Sequence, residues 1–359
     1  MTGTFGHIEL YNPYWLDIPK IKSYGAVLNV IVGARRIGKT YGIIKDAIEN
    51  KDAPGRMLYL RHTKTQLELI SAGNNNPFLD PARDMKLDVG VYKDGPIWRC
   101  AYVEERNADG AAIQYGDIIA DMSSVFSTRG ISSGAYNTVF FDEFIPEFGT
   151  ITRKHSGYNL KSAIHTITNA STTDVTIWLA ANANNLDNDI LLEFNLIRVF
   201  EELKRLKESG VNSWRSEDGY ILAIDAGMSP VSADMAKTPL GSILNSGEYG
   251  GMAFENTWEN NDTSLVKPLN GQQLREYYSG LMIGDLLIFG HKSLCKFYVR
   301  GRIERPPSKV TRYEVNENTS KIMAGNYPAL SYAYYTNNIL FDSYESQIKF
   351  KKYILGKDL

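Results

Sequence analysis

The sequence predicts an α/β fold: a mostly parallel central sheet with crossover helices, then a helical linker and a small β-rich C-terminal domain. Three observations lead there. Short apolar runs alternate with helical stretches through the first 200 residues, a glycine-rich turn follows the first of these runs, and two adjacent acids end a later one. The first run, Ala26 to Val32, is continuous enough for a strand covered on both faces. Lys39 to Asn50 has helical spacing, and Met57 to Leu60 is the next strand. Thr138 to Phe141 and Val175 to Ala181 repeat the short apolar pattern, as a βαβ rhythm requires. Ile190 to Ser209 reads as one long helix ending at Gly210, and the polar stretch Val211 to Gly219 marks a boundary. The expected division is 1–197, a linker at 198–219 and a β-rich domain at 220–359, with strands such as Leu286 to Phe289 and Lys296 to Val299.

Composition narrows the class. At 359 residues, 43% hydrophobic and 22% charged, the chain has ordinary globular usage, which excludes whole-chain disorder, collagen or coiled coil. No apolar run reaches the ~18 residues of a membrane helix, and no signal-peptide pattern opens the chain, so no membrane association is expected. Cys100 and Cys295 are the only cysteines, which rules out a disulfide scaffold and fits a reducing, cytosolic setting. A formal net charge of -2 argues against indiscriminate coating of nucleic acid but leaves room for a local basic surface.

The strongest signal is Gly33-Ala34-Arg35-Arg36-Ile37-Gly38-Lys39-Thr40, a full phosphate-loop pattern directly after the first strand. Gly33 and Gly38 let the backbone curl so that successive N–H groups face an anion, and the following helix adds its positive end. In this pattern Lys39 reaches the β- and γ-phosphates of ATP and Thr40 binds Mg2+. Arg35 and Arg36 assist the phosphates or face an interface. Val139-Phe140-Phe141-Asp142-Glu143 supplies the second half. Asp142 is a magnesium residue, and Glu143 is a general base for the attacking water, which favours hydrolysis over transfer to a second substrate. Asn182 or Asn184, at the tip of the Val175 to Ala181 strand, is placed to sense the γ-phosphate; the alternative is a plain Asn-rich turn.

Together these pieces resemble the DNA-packaging ATPases of phi-29-like tailed bacteriophages, a P-loop family of the additional-strand, catalytic-glutamate class. The resemblance rests on Tyr11-Asn12-Pro13, on Leu28-Asn29-Val30-Ile31-Val32-Gly33-Ala34-Arg35 and on Phe140-Phe141-Asp142-Glu143-Phe144-Ile145. Phe254-Glu255-Asn256-Thr257-Trp258 with Asn261-Asp262 adds weaker support. It implies a ring ATPase, expected as a pentamer, that sits on a prohead portal in the host cytoplasm and pumps double-stranded DNA. Some relatives also dock on a packaging RNA. It further implies a C-terminal domain resembling a vestigial RNase H-like nuclease. Ile221 to Gly227 reads as that domain's first strand, but Asp225 lacks the acidic partners a two-metal site needs, so no nuclease activity is expected.

A ring motor completes one subunit's site with a basic residue from the next, because the transition state spreads negative charge. By similarity Arg129 is that residue. The stretch where the family carries another trans Arg offers Arg153, Lys154 and Lys161 but no Arg close to Val175. Arg61 and Lys64 follow the Met57 to Leu60 strand and are candidate switch residues that hold Glu143 away from water. Tyr11 is a candidate for stacking on adenine, or is ordinary core packing. For DNA, contact with phosphates is expected because a packaging motor accepts any sequence. Candidates are Arg153, Lys154 and the run Lys292 to Arg312, which holds Lys292, Lys296, Arg300, Arg302, Arg305, Lys309 and Arg312 against Glu304 alone. The competing readings are a P-loop kinase or GTPase, and a nucleotide-independent nucleic-acid-binding protein with a vestigial loop.

Overall fold

A computed structural model describes residues 2–50, 55–71, 75–128, 136–146, 155–168, 175–227, 229–245, 262–303 and 307–357. The chain forms two compact units, Met1–Leu186 with Glu202–Glu259, and Asp187–Glu201 with Asn260–Leu359.

The first unit is built on a ten-stranded sheet. Its strands, in chain order, are β1 (Gly3–Gly6), β4 (Leu28–Gly33), β5 (Arg56–Arg61), β6 (Val89–Asp94), β7 (Ile97–Arg106), β8 (Ala112–Ser124), β9 (Tyr136–Asp142), β10 (Thr176–Ala181), β11 (Ser213–Ser216) and β12 (Ile221–Ala226). A separate hairpin, β2 (Tyr11–Asn12) with β3 (Trp15–Leu16), lies between the first two. The order across the sheet is β1-β11-β12-β4-β10-β9-β5-β8-β7-β6. The six central strands, β12 to β8, run parallel, and antiparallel strands extend both edges. Every residue of β4 is buried, as expected of a strand with both faces covered. Strand β10 sits between β4 and β9, so one strand separates the phosphate-loop strand from the Asp–Glu strand. Helices α1 (Ile18–Lys22), α2 (Lys39–Glu49) and α3 (Lys64–Ser71) occupy the connections around β4 and β5. Ile43, Ile44 and Ile48 give α2 its buried face within the main apolar core.

Two expectations are corrected here. The sheet does not stop before residue 198, because β11 and β12 complete it: Ile224 pairs with Ile31 and Asp225 with Val32. The apolar run Ile221 to Ala226 is therefore a central strand of the first unit, not the first strand of a nuclease-like domain. Nor is 190–209 one helix. Helices Asp189–Glu193 and Ile197–Leu206 are separated by Asn195 at φ +56°. The Leu196 and Asn195 N–H groups donate to the Leu191 and Leu192 carbonyls at 2.8 and 3.0 Å, a Schellman termination in which Asn takes the left-handed position.

The second unit holds a five-stranded sheet in the order β16-β13-β14-β15-β17. These are β13 (Tyr277–Ile283), β14 (Leu286–His291), β15 (Phe297–Arg300), β16 (Thr311–Tyr313) and β17 (Ile339–Phe341). The β13–β14–β15 meander is antiparallel, and β16 and β17 add parallel edges. Phe341 and Phe350 pack edge to face at 5.4 Å beneath it, and Tyr334 stacks on Phe350 at 5.8 Å. The helix Tyr344–Tyr353 carries Glu345, which is 2% exposed and pairs with Lys349 (2.8 Å), Arg302 (2.8 Å) and Arg198 (3.3 Å). No helix among the described residues is long and apolar enough to cross a membrane.

This ionic cluster makes a stability prediction. Burial alone would raise the Glu345 carboxyl, but the Lys349 charge and the Lys349 and Arg302 hydrogen bonds hold it below the usual range. A depressed carboxylate contributes stability above its unfolded value and loses it as pH falls, so the second unit should weaken below about pH 4. Glu345→Ala leaves Lys349 with Asp285 and takes the buried carboxylate from Arg302, and is expected to cost about 3 kcal/mol in denaturant unfolding, with Glu345→Gln less damaging.

Candidate active site

Parallel pairing sets the site. The carboxyl ends of β12, β4, β10, β9 and β5 come into line, which is where parallel sheets offer ligands a crevice. The turn after β4 runs from Gly33 to Gly38 and opens α2. Its first glycine is sterically required: a Cβ on Gly33 would meet the Ala226 carbonyl oxygen at 2.7 Å. That close approach anchors the loop on β12, because the Ala34 N–H donates to the same carbonyl at 3.0 Å. Gly38 lies at φ +88°, left-handed, and Arg36 at +60° helps turn the loop back.

Lys39 is buried, and its Nζ donates to the Gly33 carbonyl (3.0 Å), the Ala34 carbonyl (2.6 Å) and Asn182 Oδ1 (3.1 Å). Burial pushes the ammonium down to about 7, with the Asp142 charge pulling the other way. Thr40 Oγ1 donates to Asp142 Oδ1 at 3.0 Å. Asp142 Oδ2 accepts from Tyr59 Oη at 2.8 Å and pairs with Arg61 at 2.9 Å. Arg61 spans the two acids: one terminal nitrogen pairs with Asp142, the other with Glu143, and its Nε donates to Tyr59 Oη at 2.8 Å. Burial disfavours the guanidinium charge, but Asp142, Tyr59 and Glu143 outweigh this and raise its pKa. Beside them His62 is held neutral by burial, pushed down to about 4, and bonds the Phe144 carbonyl at 2.9 Å.

Gly33, Gly38, Lys39, Thr40, Asp142, Glu143, Asn182 and Arg61 thus meet in one place. Asn184 instead donates to the Pro146 carbonyl at 3.2 Å. Lys64 is exposed at the start of α3, Arg35 is half-buried and Arg36 exposed. Tyr11 is half-buried, with its hydroxyl donating to the Gly227 carbonyl at 2.7 Å. Arg129, Arg153, Lys154 and Arg305 lie outside the described residues. Within the second unit, Lys292, Lys296 and Arg300 are exposed, whereas Arg302 is committed to Glu345. Lys292 and Lys296 sit in the turn between β14 and β15 and Arg300 at the far end of β15, so these three do not share one end of the sheet.

Sequence reasoning missed Tyr59. Its signal was the two-residue strand period, which puts Tyr59 and Arg61 on one face of β5.

Comparison with known proteins bears on this geometry. The family model for the podovirus DNA encapsidation protein (Gp16) matches residues 10–270. The chain belongs to that family. The DNA packaging protein of Bacillus phage B103 is 25% identical over 252 residues, covering 68% of each chain. That of Bacillus phage phi29 is 26% identical over 254 residues, covering 68% of this chain and 65% of the relative. About a third of each relative therefore lies outside the match. Among solved structures, the Phi-28 gp11 DNA packaging motor aligns with a TM-score of 0.64 at 15% identity, covering 98% of this chain and 99% of that one. The bacteriophage Phi-29 genome packaging motor assembly aligns at 0.59 and 16% identity, covering 93% and 96%. At that identity the likeness is one of fold, and it extends through both units of this encapsidation-family chain.

The lowered Lys39 value generates a pH prediction. At pH 8 much of this amine is neutral while the site is empty, and phosphate oxygens would restore its proton. Binding of a nucleoside triphosphate at the loop at pH 8 should therefore take up a proton, and at pH 6, below the Lys39 value, the uptake should fade. Calorimetry in buffers of different ionisation enthalpy reads this directly, and Lys39→Ala should abolish it.

Proposed function

We propose that this chain hydrolyses ATP with Mg2+ and uses the cycle to drive double-stranded DNA through a portal into a phage prohead. In this reading it works in the host cytoplasm as a homo-oligomeric ring. The observation that carries the reading is the meeting of Lys39 and Thr40 with Asn182, Asp142 and Glu143 at the ends of adjacent parallel strands. Membership of the encapsidation family and the likeness to the packaging proteins of B103 and phi29 support DNA as the cargo.

Loop N–H groups and the Lys39 ammonium hold the β- and γ-phosphates. The Thr40 hydroxyl and Asp142 carboxylate are hard oxygen donors 3.0 Å apart, which suits a magnesium ion that completes its shell with water and phosphate oxygens. When bound, the ion would neutralise negative charge on the phosphates. Glu143 accepts a proton from the attacking water. In the described arrangement one of its carboxylate oxygens is engaged by Arg61. Hydrolysis then requires Arg61 to let go, and coupling that release to DNA engagement makes turnover depend on cargo. Asn182 shares Lys39 with the loop carbonyls, so a γ-phosphate that recruits the ammonium frees the amide and reports its arrival to β10. Arg129 acts in trans on the neighbouring site. Arg153, Lys154 and the exposed Lys292, Lys296 and Arg300 contact DNA phosphates or a packaging RNA. No nuclease step is part of this reading.

ATPase assays with and without double-stranded DNA test it. Lys39→Ala should weaken nucleotide binding. Glu143→Gln should keep ATP bound and slow turnover about 100-fold or more, the usual span for a lost general base. Turnover by Glu143→Gln equal to wild type would remove Glu143 from the role. Arg61→Gln should raise hydrolysis without DNA, so that the ratio of stimulated to basal rate falls towards one. An unchanged ratio would rule out the Arg61 latch.

A further inference from the structure

The β2–β3 hairpin is fastened to the first unit at two points. The Leu16 N–H donates to the Ile37 carbonyl of the phosphate loop at 3.0 Å, and the Tyr11 hydroxyl donates to the Gly227 carbonyl at 2.7 Å. Between these anchors the Trp15 indole lies against the last loop glycine. A Cβ on Gly38 would meet Trp15 Cε3 at 3.3 Å and Trp15 Cβ at 3.6 Å. Yet Trp15 remains 51% exposed, beside Tyr14 at 53%. A large apolar ring held half in water on an anchored hairpin forfeits burial that it could have gained by folding inward. It is also placed where α2 begins, so phosphates on the loop would leave the sugar and base to run outward over the surface around Gly38.

We propose that Trp15 is the stacking platform for the base of the bound nucleotide. The inference rests on the nucleotide-site reading above and adds the residue that holds the base. Tyr11, the aromatic that sequence reasoning offered for this contact, instead anchors the hairpin through its hydroxyl. Stacking uses the π-face that every base has, so Trp15 contributes affinity without choosing adenine over guanine.

Calorimetric titration of the full chain separates the parts. The ligands are non-hydrolysable analogues of ATP and GTP, and inorganic tripolyphosphate. Trp15→Leu, which keeps an apolar cover on Gly38 without a π-face, and Trp15→Ala should each lose about tenfold or more in affinity for both analogues. Neither should change tripolyphosphate binding, and Trp15→Phe should recover most of the loss. Trp15→Leu binding the ATP analogue as tightly as wild type overturns the proposal, as does an equal loss for tripolyphosphate, which would mean that Trp15 only shapes the loop. Lys39→Ala should lose all three ligands. If instead it binds them like wild type, the phosphate-loop reading itself fails, an outcome distinct from failure of the Trp15 contact.

Discussion

One guanidinium holds the phosphate-loop end of this sheet together. Arg61 is 8% exposed, a position where an unpaired cation would be costly, and it is balanced by Asp142, by Glu143 and by the Tyr59 hydroxyl. The three partners come from β5 and from the end of β9, neighbours in the sheet, so the parallel register places them without help from any long loop. Removing the cation would leave Asp142 with only the hydroxyls of Thr40 and Tyr59. The same contact that stabilises the folded end of β9 thus occupies the carboxylate proposed as general base. In the proposed motor, one ion pair would serve architecture and control together.

The phosphate loop depends on a second neighbour relation, that of β4 with β12. Ala226 ends β12 against Gly33, and its carbonyl receives the Ala34 N–H. Residues far apart in sequence therefore set the curvature of the loop. This is why the first unit needs the returning segment Ser213–Ala226, and why its sheet continues across the point where composition suggested a boundary.

Legibility followed the range of the interactions. The phosphate loop, the Asp–Glu pair and the strand that brings Asn182 beside them were readable because each is carried by a local motif or a short apolar run. Strand β12 was visible as a strand, but nothing local in Ile221 to Ala226 says which sheet it joins. Periodicity ran unbroken through 190–209, so the stop at Asn195 rested on one residue's tolerance of left-handed backbone. Arg302 counted as free basic charge until Glu345, 43 residues on, claimed it. Tyr59 and Trp15 were silent for opposite reasons: one looks like core and carries a working hydroxyl, the other looks like core and is half exposed.

The geometry of the acid pair itself needs explaining. Successive side chains of a strand point to opposite faces, so Asp142 and Glu143 in plain extended backbone would look away from each other. They nevertheless pair with the same guanidinium. The backbone resolves this at Glu143, which leaves the strand at φ +55°, a left-handed conformation that costs a non-glycine residue about 1 kcal/mol or more. The turn swings the second carboxylate back over the strand end, with its side chain 43% exposed while that of Asp142 is 5% exposed. One acid is thus kept in the dry interior beside Thr40, and the next is lifted to the rim where water can reach it. Had the strand simply continued, adjacency in sequence would have separated the two roles by the thickness of the sheet. The strained residue is what lets two consecutive positions face one site.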